Sequence, residues 1–277
     1  MSIPGKVYGI VLIERVRSET ESNVGEEQCG IRNGRGFIDQ VFVMRELAER
    51  FESKGKDMYV AYVDLEKAYG RIGRGAMWRV LEMHCVNGNL LRAVESFYDS
   101  SEVCVIVCRK KSDWFSVKIG LRQGCVMFLW LFNIFMDGVM RELRKRIGDV
   151  GVKLWDKARI CKWKIEWLMF ADDTMLVGDN EEKLQMLVRK FGNVCKRQKL
   201  TVNVNKSKTM KINGKENEYD VNVEMDGERV EVMEMYTYLG VNVKCDAKVI
   251  EEINHRIIEP RKASGALQDN MDEETTE

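Results

Sequence analysis

The 277-residue chain is 45% apolar and contains only two prolines, a composition that excludes proline-rich linkers and collagen-like sequence and permits a sizeable core. Its 44 basic and 44 acidic residues cancel, which taken alone counts against a nucleic-acid partner. The cancellation is uneven: 38 basic against 27 acidic residues run through Lys215 and 6 against 17 follow it, so a basic body carries an acidic end.

From the N-terminus, the run Val7–Ile13 is closed by Glu14 with no small-residue cleavage pattern after it, so it does not read as a signal peptide. Val41, Met44, Leu47, Ala48 and Phe51 share one helical face and predict a helix over Phe37–Phe51. Met58–Val63 is a short β-type run that ends at Asp64. Ala76–Met83 and Leu90–Tyr98 read as helices, and Val103–Cys108 and Trp114–Ile119 as strands joined by a basic turn over Arg109–Asp113. A long amphipathic helix is expected over Trp130–Arg146. The apolar runs Glu166–Phe170 and Thr174–Val177 flank Ala171-Asp172-Asp173, and a helix is expected over Glu181–Leu200. Short strands follow at Lys208–Ile212, Val221–Met225 and Tyr236–Val243, then a helix near Ala247–Ile258 and a frayed acidic tail over Gln268–Glu277. The longest uncharged apolar stretch, Cys125–Met136, is shorter than the roughly 20 residues that span a bilayer. Eight cysteines without a C-x-x-C pair and two distant histidines argue against a zinc site and for free thiols. A soluble, intracellular chain with no membrane partner is expected.

Three segments carry chemistry. In Trp167–Val177, apolar residues flank two adjacent aspartates, Asp172 and Asp173, as in a tight hairpin with carboxylates at its tip. Adjacent like charges repel unless a cation sits beside them, although an ordinary Asp-rich turn has the same residues. In Tyr62–Tyr69 an apolar strand runs into Asp64, which either caps the following helix or shares a divalent metal with Asp172. Gly120-Leu-Arg-Gln-Gly-Cys125 is a loop in which glycines allow close backbone approach, with Arg122 and Gln123 as donors for phosphate or sugar hydroxyls. A basic track completes the set. Residues 181–211 hold nine Lys/Arg against two Glu, a surface suited to a phosphate backbone or to plain solvation.

Taken in order, these blocks resemble the reverse transcriptases of non-LTR (LINE-type) retrotransposons. Gln28–Gly36 is similar to the family's fingers motif, Asp64-Leu-Glu-Lys-Ala-Tyr69 to its first catalytic motif, Gly120–Cys125 to its nucleotide-pocket motif and Phe170-Ala-Asp-Asp173 to its metal-binding hairpin. Asn203–Ser207 resembles the next motif, and Tyr238-Leu-Gly240 the primer-grip region. The resemblance implies an α+β fold, a right-hand polymerase with fingers and a βαββαβ palm core, and a truncated thumb. It implies partial fingers over 1–56, a palm with fingers insertions over 57–215, the primer grip and the start of a connection to the thumb over 216–262, and a disordered acidic tail over 263–277. Asp64, Asp172 and Asp173 become catalytic and metal-binding, holding Mg²⁺ or Mn²⁺. Leu65, Tyr69, Gln123, Gly124, Phe170, Ala171 and Lys206 become the nucleotide site, with Tyr69 excluding a 2′-hydroxyl. Arg189, Lys190, Lys196, Arg197 and Lys199 become nucleic-acid contacts. The implied partners are an RNA template, a DNA primer and deoxynucleoside triphosphates.

The sequence departs from the family pattern in three places. Gly70 follows Tyr69 where the family has aspartate, and Phe128-Leu129 stand where the family has Ser-Pro, a good N-cap and first-turn pair. The third is the expected truncation, with no upstream endonuclease. A catalytically silent, retroelement-derived palm that binds nucleic acid is therefore the alternative. A nucleotide-cyclase-like palm would also use paired carboxylates, but it leaves Gln28–Gly36 unexplained.

Overall fold

Met58–Val63 is apolar almost without interruption because both faces of the strand it forms are covered. Met58, Val60 and Tyr62 face one core, while Ala61 and Val63 face another. The computed structural model describes residues 3–99, 101–122, 124–148, 150–155, 162–213 and 220–245. The helices are α1 (Ile3–Thr20), α2 (Phe37–Glu52), α3 (Ala68–Arg71), α4 (Arg74–Met83), α5 (Gly88–Tyr98), α6 (Phe128–Ile147) and α7 (Glu181–Arg197). The principal strands are β1 (Met58–Val63), β2 (Trp167–Phe170), β3 (Asp173–Gly178), β4 (Lys208–Ile212) and β5 (Glu231–Val232), with a separate hairpin of β6 (Met235–Tyr238) and β7 (Val241–Lys244).

The five-stranded sheet has the order β5-β4-β1-β3-β2. β1 runs antiparallel to β3 and β4, with Ala61 opposite both Leu176 and Thr209. β2 folds back antiparallel on β3, and β5 joins parallel to β4. The succession β1, helical insertion, β2, β3, α7, β4 is the βαββαβ arrangement that the motifs imply. On one face α6 and α7 bury Phe132, Phe135, Leu187 and Phe191 against Ala61, Val63 and Leu176. On the other, α2 and the β6–β7 hairpin cover Val60, Tyr62, Met175 and Met210. The apolar stripe on α2 that includes Met44, Leu47 and Phe51 is the one its sequence predicts.

Four elements differ from the sequence expectation. α1 was not legible as a helix, because Ile3, Val7, Tyr8, Ile10 and Val11 are exposed while Leu12, Ile13 and Val16 are buried, which blurs the periodic face. Tyr236–Val243 is a hairpin rather than one strand. Leu239 and Gly240 both take positive φ, 49° and 78°, and turn the chain. The turn expected at Arg109–Asp113 sits earlier, at Cys108–Arg109 (φ 48° and 64°), so Lys110–Lys111 belong to the returning strand. Of Val221–Met225 only Glu224–Met225 pair as a strand. The expected helix near Ala247–Ile258 and the acidic tail lie outside the described residues. No helix among the described residues is long and apolar enough to cross a membrane.

One buried polar contact ties the segment after α1 to the palm. Asp137, midway along α6 and 5% exposed, accepts the Gly25 amide at 2.7 Å, lies 3.0 Å from His84 Nε2 and pairs with Arg141.

Candidate active site

Because Val63 stands opposite Thr174, the next residues along β1 and back along β3 are Asp64 and Asp173, at one end of the sheet. Phe170 pairs with Asp173, which leaves Ala171 and Asp172 as a two-residue turn in which Ala171 adopts φ 56°. Topology thus brings the three expected carboxylates together, Asp172 in the turn and Asp173 as the first strand residue.

The turn is held by a residue that no sequence pattern marked as a site residue. Gln28, 2% exposed, accepts the amides of Gly30 (3.0 Å) and Ala171 (3.1 Å) through Oε1 and donates through Nε2 to the Ala171 carbonyl (3.3 Å). Gly30 passes so close that a Cβ would lie 2.3 Å from the Ala171 nitrogen, while Asn133 donates to the Gly30 carbonyl. Only Gln28's place at the head of the fingers motif hinted at this clamp. On the other side, the Asn203–Ser207 turn supports Asp64. Ser207 Oγ accepts the Asp64 amide at 3.2 Å, and the Asn203 amide donates to the Asp64 carbonyl at 2.9 Å.

Electrostatically the site lacks positive charge. Burial, then the Asp172 charge, pushes the Asp64 carboxyl up, against the opposing pull of Lys206. Burial pushes Asp173 up as well, reinforced by Asp172 and Asp64. Lys206 therefore lies close enough to Asp64 to act on its charge. Tyr236 of β6, which the sequence reading did not single out, faces the same carboxylates: burial and then Asp173 and Asp64 raise its hydroxyl. It stacks on Tyr62 with ring centroids 4.2 Å apart.

Tyr69 donates its hydroxyl to Asp172 Oδ1 at 2.9 Å. Its ring lies between Phe128 and Phe132, at centroid distances of 4.6 and 4.2 Å. Phe128, where the family has serine, is thus in direct contact with the residue expected to gate the sugar. Leu65 is buried and bridges to Val202. The Gly120 loop is strapped to α3 by the amides of Gly120 and Leu121, which donate to the carbonyls of Ile72 (2.8 Å) and Tyr69 (3.0 Å). Gly120 needs its φ of 76° there, and a Cβ would lie 2.8 Å from the Gly70 carbonyl oxygen. Gly124 also takes a positive φ, 77°, whereas Gln123 lies outside the described residues.

The expected basic track on α7 is partly neutralised. Lys196 pairs with Asp226 at 2.7 Å and Arg197 approaches Glu142 at 3.9 Å, while Arg189, Lys190 and Lys199 make no ion pair among the described residues. The helix begins at the far end of β3 and runs back, so its C-terminal cations lie toward the aspartate end.

The donor set suits a hard divalent cation: oxygen ligands that repel one another and lack a counter-charge. No group of three or more His, Cys, Asp or Glu side chains among the described residues is set to hold an ion, and Asp172 Oδ1 is engaged by Tyr69. Magnesium needs no such enclosure, since one or two carboxylates plus substrate phosphates are its usual ligands.

Such a sheet, with carboxylates at the end of its central strand and at the tip of the adjoining hairpin, defines the palm of a right-hand polymerase. The sequence model described as "Reverse transcriptase (RNA-dependent DNA polymerase)" matches residues 1–243, and the chain belongs to that family. Its relatives include the Pol polyprotein of a type-1 R2 retrotransposable element from Nasonia vitripennis, 26% identical over 54% of this chain and 14% of that protein. They also include that of the type-2 element R2DM from Drosophila melanogaster, 22% identical over 84% of this chain and 22% of that protein. These relatives agree with the non-LTR resemblance carried by the motifs. Among solved structures, telomerase from Candida tropicalis in complex with a telomeric RNA fragment is similar, with a TM-score of 0.58 and 13% identity over 88% of this chain and 37% of that one. That likeness is one of fold. The chain spans about a quarter or less of the length of the curated R2 relatives named here.

Proposed function

We propose that the chain is the catalytic core of an RNA-directed DNA polymerase of a non-LTR retrotransposon, acting by nucleotidyl transfer at Asp64, Asp172 and Asp173. The observation that carries this reading is the β1–β3 register, which sets Asp64 beside Asp173 with Asp172 in the adjoining turn and Tyr69 on it. Reverse transcriptases use divalent metal ions, and these carboxylates would hold them. A bound Mg²⁺ or Mn²⁺ supplies Lewis acidity to the primer 3′-hydroxyl and charge to the departing pyrophosphate.

The chain's own residues bind and orient. Lys206, which already acts on Asp64, offers a cation to the triphosphate. Tyr69, wedged by Phe128 and Phe132, stands where a sugar 2′-hydroxyl would clash. Phe170, Ala171, Leu65, Gln123 and Gly124 line the nucleotide site. The RNA template and DNA primer are held by their phosphates, in part on Arg189, Lys190 and Lys199.

Primer extension on an RNA template with Mg²⁺ or Mn²⁺, against an Asp172→Asn control, tests the reading. Metal-dependent extension above the control is expected, and none above it overturns the polymerase function. The silent-palm reading is favoured by the Tyr69–Asp172 contact and the bulk of Phe128. It predicts RNA affinity that falls steeply with salt in a chain that extends nothing.

A further inference from the structure

A cavity of about 1040 Å³ opens beside Tyr69, between α1, α3 and the Gly120 loop, and its polar lining is mostly basic: Lys6, Lys67, Arg74 and Arg122, against Glu102 alone. Arg74 and Arg122 both pack on the ring of Tyr98, with guanidinium carbons 5.3 and 5.7 Å from its centroid. Arg74 Nη1 donates to the Tyr98 carbonyl at 2.7 Å and Arg122 Nε to Ser101 Oγ at 3.0 Å, so both heads are fixed. Neither forms an ion pair among the described residues, and Arg74 Nη2 is buried without a hydrogen-bond partner. Burial, and next the Arg122 charge, lowers the Arg74 pKa, with only the Tyr98 and Asp99 charges opposing. Two immobilised, partly buried like charges are unfavourable unless an anion joins them.

We propose that Arg74 and Arg122 form a phosphodiester-binding site through which single-stranded nucleic acid lies along this cavity. Guanidinium forks match the oxygens of a phosphate in a way that an ammonium does not. Cavities for single small molecules run to about 1,000 Å³, and this one reaches from Tyr69 at the aspartate site to Lys6 on α1, the shape of a path for a strand. Exposed Val103 and Ile119 on its wall offer apolar surface to sugars and bases. Identifying the strand as the template rests on the polymerase reading above; the phosphate site itself does not.

The test is a fluorescence-anisotropy titration of the full chain with a labelled single-stranded RNA oligonucleotide, in EDTA and over a salt series. Arg122→Ala is expected to weaken binding about tenfold and to lower the slope of log K against log salt by about 0.7–1, the loss of one phosphate contact. Val103→Glu places a carboxylate at the exposed rim and is expected to weaken binding similarly with unchanged melting, which covers the case in which Arg122→Ala fails to fold. Arg74→Lys with Arg122→Lys, which keeps charge and loses the forks, should bind between wild type and Arg122→Ala. Unchanged affinity in both Arg122→Ala and Val103→Glu overturns the proposal, whether or not wild type extends a primer. Stoichiometric displacement of the RNA by inorganic triphosphate also overturns it, since the site would then be one for the nucleotide's phosphates. Loss of binding in these variants of a chain that extends nothing would leave the phosphate site standing and remove the polymerase reading alone.

Discussion

Tyr69 shows how one side chain serves two readings of the site. A tyrosine at this spacing from Asp64 suggests a gate for the sugar, yet here its hydroxyl occupies an oxygen of Asp172. A hydrogen bond to a charged group contributes roughly 1.5–3 kcal/mol, and the half-buried setting places this one at the low end. Tyr69→Phe should therefore raise Mn²⁺ affinity by up to about tenfold, measurable by electron paramagnetic resonance titration of free Mn²⁺; unchanged affinity would show that the contact does not compete with metal. Asp173 makes the complementary case. Its carboxyl is pushed above the ordinary 3.8 by burial and by its neighbours, so the folded chain holds that proton to higher pH than the unfolded chain does. That contribution to stability is complete below pH 3.8 and is lost as pH rises through the raised value. In metal-free buffer at neutral pH, Asp173→Asn should raise Tm, by less than the roughly 2–4 °C worth about 1 kcal/mol at this size because solvent screens the repulsion. A lower Tm would contradict the repulsive account.

Among the elements, α6 carries the clearest mark of the chain's departure from its family. It starts at Phe128 behind Met127, which supplies no side-chain cap, and Leu129 is 43% exposed. Restoring serine and proline at 128 and 129 should return about 1 kcal/mol of cap energy. It would also remove the Phe128–Tyr69 ring contact, worth about 0.5–1.5 kcal/mol. The two nearly cancel, so the double variant should change the unfolding free energy by less than about 1 kcal/mol in urea titration, while primer extension rises if Phe128 is what holds Tyr69 on Asp172. A large loss of stability would mean that Phe128 has become part of the core. The β2–β3 hairpin has the opposite character: its place is fixed by Gly30 and Gln28 from the fingers segment rather than by its own residues.

For the molecule as a whole, the uneven charge acquires a structural meaning. The acidic segment after Lys215 folds back on the basic body, with Asp226 on Lys196 and Glu231 on Lys208, and so masks part of the surface that the α7 cations would offer to nucleic acid. The Asp137 cluster joins α4, α6 and the loop after α1. Burial alone would raise the Asp137 pKa, but hydrogen bonds from His84, the Gly25 amide and Arg141 outweigh it and hold the carboxyl below its ordinary value. Its contribution is present above pH 3.8 and is lost as pH falls through the depressed value. Asp137→Asn removes the charge and leaves His84 and Arg141 facing a neutral amide, which should cost about 3–5 kcal/mol in chemical denaturation. A cost below 1 kcal/mol would show that the cluster is not what joins these elements.

The sequence alone determined the strands and helices with strong periodicity, the order of the motifs and the three aspartates, because burial imposes a period of two or of 3.6 and because motif chemistry is local. It could not show that Asp137, lying within an ordinary amphipathic helix, is buried against His84, or that Gln28 clamps a turn more than a hundred residues away. Nor could it show that Tyr69 rests on Asp172, or that Arg74 and Arg122 share the face of Tyr98. Those pairings depend on which residues the antiparallel sheet and its helices bring together across long separations. No local pattern encodes them, since the free energy that fixes them comes from contacts that exist only after the chain has folded.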